Sequence, residues 1–296
     1  AHRAVVARGY PRRVIERSYR AILLDLDGTL VDDHEGVHPR TRAALAAAVE
    51  RGVFVMIATG RSELATRPVL EDLGLCTPAL VYNGAGLWCP QRREFLEERV
   101  LSDRTLQRAV DYGLARGLLT VSMGAGLKRA IAPRTLVEEL ALREMHGLEF
   151  VLGREDLVGR RSIRVTLFSG EHADSAVFEA EVSAALGGPV YTTHFPLRVL
   201  PHHRDSTLDV VDIHPPCRGK AEALRWLREE HGIPAQQVVA VGDASNDVPM
   251  LRAAGLGVAV EGGMREALEA ADRRVDGPHT DALGALVEEL FGLPRG

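Results

Sequence analysis

The chain has 296 residues, of which 46% are hydrophobic, and a formal net charge of −5 at pH 7. A chain of this length and apolar content can bury a sizeable core, as one large domain or two ordinary ones. Because the net charge is negative, the chain lacks the excess of Lys and Arg that attracts nucleic acids or anionic membranes, and we expect neither as a partner.

The cysteines and the hydropathy pattern indicate a compartment. Cys76, Cys89 and Cys217 match neither the spacing of a zinc site nor a disulfide framework, so we expect reduced thiols. No apolar run reaches the roughly 18 residues of a membrane helix, and no export signal opens the chain. These features favour a cytoplasmic protein. The arginine-rich residues 1–18 are interpreted as an N-terminal extension rather than an organelle transit peptide.

From Arg20 onward, short apolar runs alternate with alanine-rich helical patterns, which is typical of a parallel sheet with crossover helices. Pro39 and Gly52 punctuate the first helix at its start and just past its end. The predicted strands are 21–26, 53–58, 79–82, 207–213, 238–243 and 255–260, and the predicted helices are 39–51, 221–231 and 281–290.

Between these segments lies a region of different character. It mixes helices with strands such as 162–168, and it is interpreted as an α+β insertion. The predicted fold is therefore α/β, with a Rossmann-like parallel-sheet core interrupted by an α+β cap domain. The predicted core covers 19–87 and 206–296, and the predicted cap covers 88–205.

Polar residues follow several predicted strands at the edge where parallel sheets bind ligands. Asp25 and Asp27 end the first strand, and two nearby buried carboxylates require a cation or shared protons. Carboxylates of Asp25 and Asp243 and the backbone carbonyl of Asp27 suit Mg²⁺, which prefers oxygen ligands. Lys220 and the Thr59 hydroxyl suit phosphate oxygens.

Four motifs occur in an order that resembles the haloacid dehalogenase superfamily of phosphohydrolases. They are D-L-D-G-T-L at 25–30, A-T-G-R at 58–61, Lys220, and G-D-A-S-N-D at 242–247. The large insertion between the second and third motifs, and Asn83-Gly84-Ala85, are similar to the Cof-type branch. The chain departs from the family at Glu261-Gly262-Gly263, where Gly-Asn-Ala is usual.

The resemblance implies roles for individual residues. Asp25 would be the nucleophile and Asp27 the acid-base residue, with Thr59 and Lys220 also catalytic. The implied Mg²⁺ ligands are Asp25, the Asp27 carbonyl and Asp243, and Asp247 would support the metal site from behind. The implied phosphate ligands are Leu26, Thr59, Gly60, Lys220 and Asn246.

The implied function is a Mg²⁺-dependent phosphatase that hydrolyses a small phosphorylated metabolite, a sugar phosphate, through an aspartyl-phosphate. A phosphosugar mutase and a non-catalytic phosphometabolite-binding regulator are the alternatives, although a pure binding module needs no nucleophile. The sequence leaves the substrate and the oligomeric state open.

Three other features are interpreted without a catalytic role. His202-His203-Arg204 is interpreted as a hinge or substrate contact, because neighbours in an extended segment point in opposite directions and rarely share one metal ion. The acidic run at 32–35 is interpreted as a solvated loop, and Trp88 as a packing residue.

Overall fold

The computed structural model describes residues 19–32, 34, 36–143 and 145–294. The predicted extension at 1–18 lies outside the described residues, as do Asp33 and Glu35 of the acidic run. The strands are β1 Ala21–Leu24, β2 Phe54–Ile57, β3 Ala79–Val81, β4 Gly86–Cys89, β5 Glu94–Glu98, β6 Leu119–Gly124, β7 Leu127–Ile131, β8 Leu148–Val151, β9 Arg164–Ser169, β10 Tyr191–Pro196, β11 Asp209–His214, β12 Val238–Gly242, β13 Leu256–Val260 and β14 Arg273–Val275. The helices are α1 Pro39–Glu50, α2 Glu63–Leu73, α3 Asp103–Ala115, α4 Leu136–Leu142, α5 Arg154–Val158, α6 Ser175–Leu186, α7 Glu222–His231, α8 Val248–Ala253, α9 Arg265–Ala270 and α10 Ala282–Phe291.

A parallel sheet, here named the core sheet, has the strand order β14–β13–β12–β1–β2. β1 and β12 are buried along their whole length, as expected for central strands covered on both faces. Ile22 and Leu24 pack on the side of α1 and α10, while Ala21 and Leu23 pack on the side of α7 and α8. The predicted α/β fold with a parallel-sheet core is confirmed.

The helix ends follow the punctuation in the sequence. α1 begins at Pro39, and Gly52 just beyond it has a φ of 79°. α7 ends at Gly232, which adopts the left-handed conformation that favours glycine. These ends agree with the prediction, whereas α2 was not predicted.

Strands β3, β4 and β5 form a small antiparallel sheet, here named the hairpin sheet. It joins the core sheet through a single parallel bridge between Ala58 and Leu80. The predicted start of the cap, residue 88, lies inside β4, which pairs with β3. Trp88 is buried in the core as predicted.

The inserted region contains a mixed sheet, here named the cap sheet, with the order β10–β11–β9–β6–β7–β8. α3 and α6 cover one face of it, where Phe178 packs with Val165 and Val211. β11 pairs antiparallel with both β9 and β10. The prediction that the strand at 207–213 belongs to the parallel core sheet is therefore wrong.

These pairings support a revised division of the chain. We propose a core over 19–98 and 215–294, with a cap over 101–214. The segment Pro201–His203 forms a 3-10 turn, so the extended geometry assumed for the neighbouring histidines is also wrong.

Candidate active site

Carboxylates converge at the carboxyl edge of the core sheet. Asp25 follows β1, is 4% exposed, and donates its backbone N–H to the Val241 carbonyl at 3.0 Å. Asp243 follows β12, and Asp247 lies one turn further along the chain. One oxygen each from Asp25, Asp243 and Asp247 lies within 4.8 Å of the other two.

The residues after the first carboxylate pair shape this cluster. Gly28 has a φ of 75°, and a Cβ there would lie 2.6 Å from Asp243 Oδ2. Thr29 Oγ1 donates a hydrogen bond to Asp243 Oδ1 at 2.8 Å. Gly28 and Thr29 thus fix the position of the Asp243 carboxylate. Both residues belong to the first motif, but this role was not predicted.

Lys220 is fully buried between two of the carboxylates. Its Nζ lies 2.6 Å from Asp25 Oδ1 and 2.6 Å from Asp247 Oδ1. The other oxygen of Asp247 accepts from the backbone N–H groups of Asp243 at 3.0 Å and Ala244 at 2.9 Å. Asp247 therefore orients both the ammonium group and the loop that carries Asp243.

The electrostatics of the cluster favour a bound cation. Burial, and then the charge of Asp247, raise the pKa of the Asp25 carboxyl well above its ordinary value. The same two causes raise the pKa of Asp243 to about 7. Burial alone would lower the pKa of the Lys220 ammonium, but Asp247 and Asp25 together raise it above its ordinary value. An all-oxygen donor set of like charges fits Mg²⁺.

Asp27 forms an ion pair with Arg61 that the motifs do not predict. Arg61 Nη2 lies 2.6 Å from Asp27 Oδ1, and Arg61 Nε lies 3.0 Å from Asp27 Oδ2. Arg61 ends the A-T-G-R motif, from which we had selected only Thr59 and Gly60. The Arg61 guanidinium group therefore donates to both oxygens of the Asp27 carboxylate. Leu26, between the two aspartates, is buried.

The predicted phosphate ligands Thr59 and Gly60 lie in the loop after β2. Thr59 is buried, and its Oγ1 accepts the Arg61 backbone N–H at 3.0 Å. Ser62, rather than Thr59, caps the following helix α2. The Gly60 carbonyl accepts a hydrogen bond at 2.8 Å from Arg164 Nη1 of the cap sheet.

Asn246, the remaining predicted phosphate ligand, contacts Asn83 rather than the carboxylate cluster. Its Nδ2 donates to Asn83 Oδ1 at 2.9 Å, and its Oδ1 is buried without a partner among the described residues. The Asn83 backbone N–H donates to the Thr59 carbonyl at 3.1 Å. Thr59 and Asn246 are thus joined through Asn83, a residue for which no role was predicted.

Glu261-Gly262-Gly263 stands where the family usually has Gly-Asn-Ala, so backbone rather than an asparagine side chain lies beside the site. The Met264 backbone N–H donates to the Asp243 carbonyl at 2.7 Å, and a Cβ on Gly263 would lie 2.5 Å from the same oxygen. Glycine at 263 therefore permits the close approach of this turn to the Asp243 loop.

Comparison with known proteins agrees with this arrangement. The family model for haloacid dehalogenase-like hydrolases matches residues 22–286. The chain is 30% identical to the pyridoxal phosphate phosphatase YbhA of Escherichia coli over 286 residues, covering 88% of this chain and 94% of YbhA. It is 24% identical to the 5-amino-6-(5-phospho-D-ribitylamino)uracil phosphatase YitU of Bacillus subtilis over 273 residues, covering 92% and 97%.

A solved structure shows the same fold. The phosphatase BT1666 from Bacteroides thetaiotaomicron matches with a TM-score of 0.77 at 19% identity, and the match covers 96% of this chain and 98% of that one.

Fold, site and relatives together define the class as a phosphatase. The chain belongs to the haloacid dehalogenase-like hydrolase family, and the predicted resemblance to its Cof-type branch is confirmed. Across the described ranges, every helix is too short or too polar to cross a membrane.

Proposed function

We propose that this phosphatase hydrolyses a small phosphorylated metabolite, a sugar phosphate or similar polyol phosphate, with Mg²⁺ and through an aspartyl-phosphate on Asp25. The observation that carries the proposal is the buried Asp25 carboxylate, held at 2.6 Å by Lys220 beside Asp243 and Asp247. The relative YitU is named for a phosphate carried on a ribityl chain, which is a polyol, and this supports the substrate class.

Asp25, the Asp27 carbonyl and Asp243 would hold Mg²⁺, with Asp247 next to them. The ion would offset the charge of the phosphoryl oxygens and of the carboxylates around them. Lys220, fully buried, would place a fixed positive charge on the same oxygens.

The chemistry uses the two aspartates in turn. A carboxylate oxygen of Asp25 attacks phosphorus, the bond from phosphorus to the ester oxygen breaks, and the Asp27 carboxylic acid protonates the leaving oxygen. The Asp27 carboxylate then takes a proton from water, whose oxygen attacks the phosphorus of the aspartyl-phosphate. The bond from phosphorus to the Asp25 oxygen breaks and inorganic phosphate leaves, so Asp25 is again a carboxylate and Asp27 is again a carboxylic acid.

The pair between Arg61 and Asp27 sets a condition on this sequence. Both oxygens of Asp27 accept hydrogen bonds from the guanidinium group, which stabilises the carboxylate, so Asp27 can act as the acid only if substrate binding weakens this pair and Asp27 takes up a proton from solvent. A substrate phosphate dianion near Arg61 is a second negatively charged hydrogen-bond acceptor, and it competes with the Asp27 carboxylate for the guanidinium group. Substrate binding would thus release Asp27 for proton transfer.

The test is a phosphate-release screen over a panel of sugar phosphates, polyol phosphates, nucleotides and phosphorylated cofactors. We expect release from sugar or polyol phosphates with Mg²⁺, and none from the same substrates with the Asp25→Asn variant. Formation of a hexose bisphosphate without net phosphate release would indicate a mutase instead. Tight binding of a panel member without any turnover would indicate a binding protein and contradict the proposal.

A further inference from the structure

Asn83 occupies the point where several loops of the core meet the cap. Its backbone N–H donates to Thr59, its carbonyl accepts the Cys217 thiol at 3.7 Å, and its side chain lies 2% exposed. A Cβ on Gly60 would lie 3.1 Å from Asn83 Oδ1. One residue therefore touches the loop after β2, the segment that leads to Lys220, and Asn246.

The backbone here is held in a conformation that few residues adopt. Tyr82, Asn83 and Gly84 have φ values of 51°, 52° and 97°. Non-glycine residues at positive φ are costly and persist where surrounding contacts impose them, often at functional sites. The Tyr82 backbone N–H donates to the Arg61 carbonyl at 3.0 Å, so the strained turn is fastened to the A-T-G-R loop.

The Asn83 side chain links the core to the cap. Its Oδ1 accepts from Asn246 Nδ2 at 2.9 Å, and its Nδ2 donates to Thr193 Oγ1 at 3.2 Å. Thr193 lies on β10 of the cap sheet and is buried. A path of two hydrogen bonds, one buried and one partly buried, thus runs from the cap sheet to a predicted phosphate ligand.

We propose that Asn83 is a positioning residue through which Thr193 of the cap orients Asn246 for phosphate binding. The inference rests on the proposed function. When the cap contacts the core, Thr193 fixes the Asn83 side-chain amide by accepting from Asn83 Nδ2. Asn83 Oδ1 then accepts one N–H of the Asn246 side-chain amide. The second N–H of that amide is left directed for a phosphate oxygen. When the cap lifts, the Asn83 amide loses one anchor and Asn246 loses its fixed orientation.

This coupling predicts that a cap residue remote from the phosphorus controls the affinity for phosphate itself. Because a uniformly used binding contact changes KM more than kcat, loss of the path should appear mainly in KM.

The test uses inorganic phosphate as the probe and Thr193→Val as the main variant. This change removes the hydroxyl with little change in volume, and we expect the inhibition constant for phosphate to rise about 2- to 10-fold. Thr193→Ser keeps the hydroxyl and should restore affinity. Thr192→Val is the matched control, since the Thr192 hydroxyl donates to Glu179 elsewhere in the cap, and it should bind phosphate normally.

Asn83→Gly provides a second and independent variant, because glycine tolerates a φ of 52°. It should weaken phosphate binding, and its effect should not add to that of Asn246→Ala, because both changes disable the same contact. Unchanged phosphate affinity in folded Thr193→Val and Asn83→Gly, or additive effects with Asn246→Ala, would overturn the inference. Absence of phosphate release by the unaltered protein would overturn the proposed function instead.

Discussion

At Gly28 the first motif requires a residue without a side chain for two separate reasons. Its φ is 75°, and a Cβ would lie 2.6 Å from Asp243 Oδ2. We predict that Gly28→Ala abolishes most activity and weakens Mg²⁺ binding, because the Asp243 carboxylate must move. Activity and isothermal titration with Mg²⁺ measure the two effects.

Gly52 offers a matched control for this change. Its φ is 79°, but a Cβ there would meet nothing within 4 Å. Gly52→Ala should destabilise the fold by about 1–2 kcal/mol through backbone strain alone and leave activity normal. Equal activity of Gly28→Ala and Gly52→Ala would show that the close approach of Gly28 to the Asp243 carboxylate is not required for activity.

Lys128 provides a prediction about pH. It lies buried on β7, and burial, followed by the charge of Arg164, lowers its pKa from 10.5 to about 8. Both folded and unfolded chains are protonated below that value, and the folded chain loses the proton first as the pH rises. Between pH 8 and 10.5 the unfolded chain binds more protons, so the contribution of Lys128 to stability increases with pH.

Replacing Lys128 by methionine should therefore raise the free energy of unfolding at pH 7 and remove this rise above pH 8. Urea unfolding at several pH values measures both effects. The neighbour Arg129 pairs with Glu149 at 3.4 Å, and Arg129→Met should retain the rise. An unchanged pH profile in Lys128→Met would contradict the assigned burial of the ammonium group.

Between elements, Arg164 on β9 pairs with Asp212 on the neighbouring strand β11 of the cap sheet, and the same guanidinium group reaches the Gly60 loop of the core. Arg164 Nη1 lies 3.2 Å from Asp212 Oδ2 and donates to the Gly60 carbonyl at 2.8 Å. Removing one partner of a buried pair leaves an uncompensated charge, so Arg164→Met should destabilise the protein by about 3–5 kcal/mol. Thermal or urea unfolding checks the magnitude.

The double variant Arg164→Met with Asp212→Asn tests the cause. It removes both charges and keeps an acceptor for Thr166 Oγ1, which donates to Asp212 Oδ1 at 2.5 Å. The double variant should be more stable than Arg164→Met alone. If it is less stable, the loss in the single variant does not come from an unpaired carboxylate.

The sequence was sufficient to predict the central strands of the core sheet but not the partners of β11. Apolar runs such as β1 and β12 indicate strands buried on both faces. β11 is also buried on both faces, yet its neighbours are the antiparallel β9 and β10. A strand's own composition indicates its burial and not its pairing, so the sheet to which β11 belongs could not be predicted from the sequence.

The candidate site divides in the same way. The positions of Asp25 and Asp243 could be predicted because parallel strand ends share one edge. Lys220 follows β11 of the cap sheet, so its place beside them was predicted by the order of the motifs and not by the end of a core strand. The contacts of Asn83 with Thr193 and of Asp27 with Arg61 depend on how the loops and the cap pack. Asn83 and Thr193 are separated by 110 positions, and no local pattern marks such a pair.

For the molecule as a whole, the carboxylate cluster predicts dependence on a divalent ion. Without Mg²⁺, Asp25, Asp243 and Asp247 repel one another, so exhaustive chelation should abolish hydrolysis and added Mg²⁺ should restore it. Ca²⁺ should inhibit, because it accepts up to about eight oxygen ligands and would draw both oxygens of Asp25 into coordination, away from phosphorus. Full turnover by the metal-free protein would contradict this account.

Asparagine variants of the two aspartates in the first motif are predicted to lose different steps of the reaction. With an ester whose leaving group is acidic, Asp27→Asn should still become phosphorylated but release phosphate slowly, because proton transfer is commonly worth about 10²–10⁴-fold. Asp25→Asn should form no phosphoenzyme with any substrate.

Trapping the phosphoenzyme tests the central claim most directly. The protein is mixed with a labelled substrate, quenched rapidly in acid, and digested for peptide mass analysis. We predict the label on Asp25 in the unaltered protein and in Asp27→Asn, and no label in Asp25→Asn. Label on another residue, or normal turnover by Asp25→Asn, would contradict the account.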